Sequence, residues 1–309
     1  MTQQPAITVR GLRKAYGGVV AVDGIDLQVE QGEVFALLGP NGAGKTTTIE
    51  ILEGYRRRDA GEVRVLGHDP ERNERAFKAR IGIVLQTPSV ERYLTVEEAV
   101  SLYRGYYPNP LPLDEVLAAV GLAEQRKQPV RRLSGGQQRR LDVAIGLAGN
   151  PDLLFLDEPT TGFDPAARRN AWDMVKNLRA LGKTVLLTTH YLDEAQELAD
   201  RVAILVRGSI IAEGTPAALM GRETPTTIRF RLPPDAPDLV QGLPTAGAAT
   251  VQDGYASLAT MEPTRTLYEL TRRATERGLE LEGLTVTRPS LEDVYLELTR
   301  GREDEEGTP

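Results

Sequence analysis

Short, unbroken apolar runs recur along this chain, each bounded by glycine, proline or charge. Val34-Phe35-Ala36-Leu37-Leu38, Leu153-Leu154-Phe155-Leu156, Thr184-Val185-Leu186-Leu187-Thr188 and Val202-Ala203-Ile204-Leu205 are the clearest. Runs of four or five such residues are too short for a helix and read as buried strands. Around them lie alternating or β-branched segments separated by glycine turns: Ile7-Thr8-Val9, Val19-Val20-Ala21-Val22, Ile25-Asp26-Leu27-Gln28-Val29 and Glu62-Val63-Arg64-Val65-Leu66. The segment from Thr46 through Leu52 can continue as a helix, and residues 95–149 are mainly helical in pattern, interrupted by Pro108, Pro110 and Pro112. Strands alternating with helices predict an α/β fold around a mainly parallel sheet covered on both faces.

The texture changes near Gly221. Residues 233–248 are rich in Pro, Ala and Gly, and beyond them strands are expected near 226–232, 256–261 and 281–288, with helices over 264–277 and 290–299. The expected organisation is therefore a large domain over 1–220, with a helical part at about 87–150. A small α+β domain follows over 221–300, and then an acidic, solvated and disordered tail over 301–309 containing Glu303-Asp304-Glu305-Glu306.

Composition narrows the class. The chain has 309 residues, ample for two domains, and a formal net charge of −7 that argues against wrapping nucleic acid. There is no cysteine, which excludes disulfides and thiolate chemistry. No apolar run approaches the roughly 18–20 residues that cross a bilayer, and the start lacks a signal-peptide core. A soluble cytoplasmic protein is expected, one that borrows any membrane role from a partner. Lysine is scarce, 6 of the 37 basic residues, a bias of high-GC bacterial genomes.

The chemistry is concentrated in three segments. Gly39-Pro40-Asn41-Gly42-Ala43-Gly44-Lys45-Thr46 follows the first apolar run and opens the helix. A glycine loop between strand and helix lets backbone N–H groups curl around phosphate oxygens, aided by the helix dipole. Lys45 can reach the outer phosphates and the Thr46 hydroxyl can ligate Mg²⁺, which makes this a nucleoside triphosphate site. Asp157 and Glu158 end the Leu153–Leu156 run. A carboxylate at that strand edge can hold Mg²⁺, and its neighbour can orient or deprotonate the attacking water. Alone, Asp-Glu before Pro159 reads equally as a helix cap. His190 follows the Thr184–Thr189 run and could hydrogen-bond a γ-phosphate or hold the water with Glu158, or be an ordinary strand-edge histidine. His68, in a Gly-His-Asp-Pro turn, reads as surface. Leu133-Ser134-Gly135-Gly136-Gln137 is a second anion-binding helix start, or simply an N-capped one. One chain does not need two phosphate readers for one nucleotide, so this surface is expected to face the nucleotide of another subunit.

Together these segments resemble the ATP-binding cassette (ABC) ATPases over about residues 5–218. In the resemblance, Gly39–Thr46 is the Walker A loop, Leu133–Gln137 the signature motif and Leu153–Asp157 the Walker B strand. It implies a P-loop NTPase fold with a RecA-like core, an antiparallel β subdomain and a helical subdomain. The implied catalytic residues are Glu158, the switch residue His190, and Gln86, which senses Mg²⁺ and water. The implied nucleotide contacts are Tyr16 under the adenine, Gly39 through Thr46, Thr47, Ser134, Gly135, Gly136, Gln137, and Asp164 in the interface loop. Mg²⁺ would rest on Thr46, Gln86 and Asp157. Tyr16 on its own could be an exposed turn residue, and Phe163 departs from the family's commoner leucine.

The resemblance implies a head-to-tail homodimer with two ATP molecules sandwiched between Walker A of one chain and Ser134-Gly135-Gly136 of the other. Ile51-Leu52-Glu53-Gly54-Tyr55-Arg56, Gly61-Glu62-Val63 and Pro289-Ser290-Leu291-Glu292-Asp293-Val294-Tyr295-Leu296 are similar to the daunorubicin-type exporter ATPases of ABC-2 systems. That implies a separately encoded transmembrane permease docked at residues 86–103, no nucleic acid and no membrane span of the chain's own. It also implies a place on the cytoplasmic face of a bacterial plasma membrane and export of a drug, lipid or other hydrophobic compound. The competing readings are an import ATPase with a regulatory C-terminal domain and a soluble ABC ATPase acting outside transport.

Overall fold

A computed structural model of the chain describes residues 4–84, 90–220, 225–234, 236–287 and 290–296. The chain divides into two compact units, Met1–Pro216 and Ala217–Pro309. The first opens with β1 (Ile7–Tyr16), β2 (Val19–Val29), β3 (Val34–Leu38), α1 (Lys45–Leu52), β4 (Ala60–Val65), α2 (Arg75–Lys78) and β5 (Ile81–Val84). Helices α3 (Val96–Arg104), α4 (Leu113–Ala119) and α5 (Gly135–Leu147) follow. Then come β6 (Leu153–Asp157), α6 (Pro165–Ala180), β7 (Thr184–Thr189), α7 (Leu192–Leu198), β8 (Arg201–Val206) and β9 (Ser209–Gly214), with α8 (Pro216–Leu219) at the boundary.

A six-stranded sheet in the order β5-β6-β7-β3-β8-β9 forms the centre of this unit. Its first five strands run parallel and β9 is antiparallel to β8. Every residue of β3 is buried, as are Leu153 through Leu156 and all of β7, because both faces of the sheet are covered. Burying Phe35 and Phe155 completely contributes about 1.5–3 kcal/mol each. A second, antiparallel sheet (β2-β1-β4) packs its apolar face, Ile7, Val9, Ile25 and Val63 among others, into the same core. The two strands expected at 19–22 and 25–29 are one strand, β2. Its register against β1 shifts around Asp23 and Ile25, and Gly24 has φ 68°, so the alternation breaks without the strand ending.

The strand order matters for chemistry. β6, β7 and β3 are neighbours, with Asp157 paired to Thr188 and Leu38 to Thr189. The segments leaving their C-terminal ends, after Leu38, Asp157 and Thr189, therefore emerge side by side, the usual binding edge of such sheets.

The second unit contains β10 (Thr226–Arg231), β11 (Thr250–Gln252), β12 (Tyr255–Thr260), α9 (Pro263–Glu276) and β13 (Thr285–Thr287). These strands form an antiparallel sheet in the order β11-β12-β10-β13. Ile228, Phe230, Leu258, Leu239 and Leu270 make its core, so α9 covers one face. The Thr260 and Thr266 hydroxyls both donate to the Pro244 carbonyl, at 2.8 and 2.7 Å, tying strand, helix and loop together. A helix begins at 291, where Ser290 and Asp293 exchange capping hydrogen bonds and Leu291 is buried. The expected tail and Pro289 lie outside the described residues.

Candidate nucleotide site

The loop after β3 is shaped by close approach of backbone. Gly44 has φ 105°, and a Cβ there would stand 2.2 Å from the Ala21 carbonyl oxygen; one on Gly39 would stand 2.2 Å from that of Leu205. Only glycine fits either position. The loop delivers Lys45 at the start of α1, 5% exposed, its Nζ donating to the carbonyls of Gly39 (2.7 Å) and Pro40 (3.1 Å). Burial lowers the Lys45 pKa, and the Glu158 and Asp157 carboxylates oppose that shift. Ala21, Asn41, Gly42, Gly44, Lys45, Thr46, Thr47 and Glu158 line a cleft of about 350 Å³. The Lys45 ammonium, the Thr46 and Thr47 hydroxyls and the N-terminal end of a helix make one wall suited to phosphate, with the Glu158 carboxylate also in the lining.

Facing this loop is the end of β6. The Thr188 hydroxyl donates to Asp157 Oδ1 and accepts the Glu158 N–H at 3.0 Å. The Glu158 backbone is left-handed, φ 46°, a conformation that costs a non-glycine residue about 1–2 kcal/mol. The Glu158 carboxylate faces the start of α1 and the residue that follows β7. Its Oε1 lies 3.6 Å from Lys45 Nζ and 3.4 Å from His190 Nδ1, and its Oε2 accepts the Thr161 hydroxyl at 3.0 Å. The His190 contact is close without meeting hydrogen-bond geometry. Burial raises the Glu158 pKa, but the Thr161 hydrogen bond, Lys45 and His190 outweigh it, and the net shift is downward. Glu158 is thus an ionised carboxylate between a cation and an imidazole.

A second cleft, about 920 Å³, shares Glu158 with the first and is lined by Ser134, Gly135, Gly136, Arg139, Asp142, Thr161, Asp164 and their neighbours. Ser134 caps α5 in a reciprocal box: its Oγ accepts the Gln137 N–H (3.3 Å), and Gln137 Oε1 accepts the Ser134 N–H (2.9 Å). Asp164 Oδ1 accepts the Ala167 N–H at 2.9 Å where α6 starts.

The structure thus gathers Asn41, Gly42, Gly44 through Thr47 and Glu158 in one cleft, with His190 beside them. It places the 134–136 segment and Asp164 in the other. Tyr16, 38% exposed, lines neither; its ring lies 5.4 Å from Lys14 Nζ and 5.2 Å from Arg56 Cζ. Gln86 lies outside the described residues. Four residues that bear on the site were assigned no chemistry in the sequence. Thr188 and Thr161 hold the two carboxylates, and Arg139 donates to the Asp157 carbonyl at 2.9 Å. Glu53 is buried, and desolvation together with Asp157 and Glu50 pushes its pKa up to about 8.

The parallel sheet, the glycine loop on its edge and the paired carboxylates beside it define a P-loop nucleotide-hydrolysing domain. Comparison with known proteins gives the family. Residues 22–161 match the family described as ABC transporter, and residues 226–290 match the ABC transporter domain-containing protein-like, C-terminal domain. The chain is 40% identical over 303 residues to the daunorubicin resistance ATP-binding protein DrrA3 of Streptomyces coeruleorubidus, covering 95% of this chain and 96% of that one. It is 37% identical over 306 residues to the Nod factor export ATP-binding protein I of Ralstonia nicotianae, covering 97% and 95%. A dimeric ATP-binding cassette in a post-hydrolysis state with ADP and Pi matches with TM-score 0.59 and 26% identity, covering 68% of this chain and 98% of that one. The chain belongs to the ABC transporter family, as an ATP-binding, ATP-hydrolysing subunit.

Proposed function

We propose that this chain is the motor of an exporter, hydrolysing MgATP at two sites of a head-to-tail homodimer to drive a separately encoded permease. The observation that carries the hydrolytic part is the Glu158 carboxylate, ionised and fixed between Lys45 Nζ and His190 Nδ1. In the proposed site, Lys45 and the Gly39–Thr47 backbone hold the outer phosphates and Tyr16 stacks on the adenine. Glu158 orients and accepts a proton from the attacking water, with His190 steadying it. The Thr46 hydroxyl and the Asp157 carboxylate, joined by Gln86, would hold Mg²⁺. Among the described residues no three His, Asp or Glu side chains form a ready-made metal site, so such an ion would complete its shell with phosphate oxygens and water. Bound there, Mg²⁺ neutralises charge on the phosphates.

Ser134, Gly135, Gly136, Gln137 and Asp164 face the partner's ATP, completing its site only when two chains close. Within one chain the 134–136 segment and Lys45 line different clefts that share only Glu158, and this supports the arrangement. Among the described residues no helix is long and apolar enough to cross a membrane, so passage of substrate falls to a partner. The relatives' roles in daunorubicin resistance and Nod factor export favour export of a hydrophobic compound, with the chain held at the cytoplasmic face of a bacterial plasma membrane. The 221–300 region is an accessory domain of this motor. The test is a pull-down of tagged Glu158→Gln protein with MgATP from detergent-solubilised native membranes. A stoichiometric multispan protein is expected; reproducible recovery of ribosomal or soluble partners in its place would overturn the transporter reading.

A further inference from the structure

The peptide joining Asp157 to Glu158 is gripped from two sides. Its N–H donates to Thr188 on β7, and its carbonyl accepts from Arg139 Nη2 at 2.9 Å. Arg139 belongs to α5, the helix that Ser134 caps, one and a half turns into it. It is 8% exposed, an unusual place for a guanidinium, and burial lowers its pKa against the pull of Asp142 and Asp157. Asp142, three residues along α5, is itself desolvated. A buried arginine that spends a charged donor on a main-chain carbonyl holds that peptide plane, and the next rotation along the chain is the left-handed one that aims Glu158 at Lys45.

We infer that Arg139 is a positioning residue for hydrolysis, clamping the Asp157–Glu158 peptide from the signature helix so that Glu158 stays in its strained, productive turn. The inference rests on the proposed role of Glu158. It gives α5 two duties: its first turn faces the partner's nucleotide, while its second turn holds the chain's own hydrolytic carboxylate.

The test compares Arg139→Met and Arg139→Lys in the full-length chain, alone and combined with Glu158→Gln. Arg139→Met should lower kcat for ATP tenfold or more, with KM and the MgATP Kd within twofold of the parent. Arg139→Lys, which keeps a charged donor, should recover part of that loss. In the Glu158→Gln background, Arg139→Met should change residual single-turnover hydrolysis less than twofold, since the carboxylate it positions is gone. If the Met variant fails to bind MgATP, Arg139→Gln, too short to reach the carbonyl, takes its place with the same expectation. A folded neutral variant with kcat within twofold of the parent would overturn the inference, as would an equal loss in both backgrounds. Near-normal turnover by Glu158→Gln itself would instead overturn the assignment of Glu158, a separate outcome.

Discussion

Glu53 provides a sharp thermodynamic test, because the residue is 6% exposed and its carboxyl feels two other acids. Its pKa is moved from 4.5 to about 8, first by burial and then by Asp157 and Glu50. A raised carboxyl pKa means that the folded chain binds a proton the unfolded chain releases. The group therefore imposes no penalty below about pH 4.5, and folding loses stability as pH rises from there to about 8. At 1.36 kcal/mol per pH unit, the penalty grows by about 4 kcal/mol between pH 5 and pH 9. Glu53→Gln keeps the shape and removes the titration. The variant's stability relative to the parent should therefore climb by about 4 kcal/mol over that range. Urea unfolding of nucleotide-free protein at several pH values measures this, with the fluorescence of Trp172, the sole tryptophan, as a reporter within the first unit. Taking the difference between variant and parent cancels other groups titrating in the window, such as Asp142, pushed up to about 6 by burial. A difference that stays flat within about 1 kcal/mol from pH 5 to 9 would refute the reasoning.

Gly44→Ala places a methyl 2.2 Å from the Ala21 carbonyl oxygen in a backbone region costly for alanine, so the loop must shift. MgATP affinity should fall roughly tenfold or more, about 1.4 kcal/mol, by isothermal titration calorimetry; unchanged affinity would contradict the loop's role. Phe230→Ala empties the core of the second unit and should destabilise it by about 3–5 kcal/mol in denaturant unfolding. Loss below about 1 kcal/mol would mean that this residue is not the core anchor it looks to be.

The central sheet was legible because burial on both faces leaves strands with no polar alternation to mislead, as in Val34–Leu38 and Leu153–Leu156. The glycine loop was legible for a local reason: loop, lysine and helix start are contiguous. The elements that escaped notice lack such a signature. β9 is partly buried along nearly its whole length, and β11 is a three-residue strand exposed throughout, so neither carries an apolar period. Thr188 and Arg139 act on Asp157 and Glu158 across 31 and 18 residues of chain, through strand pairing and helix packing that no local pattern encodes. The left-handed turn at Glu158 was equally invisible, since the residue type argues against it.

The most direct test of the account is the Glu158→Gln variant, assayed for MgATP binding, single-turnover hydrolysis and mass by light scattering. The account predicts unchanged MgATP affinity, hydrolysis reduced roughly 100-fold or more, and a dimer that accumulates with ATP and dissolves when ATP is removed. Near-normal turnover, or a chain that stays monomeric at saturating MgATP, would contradict it.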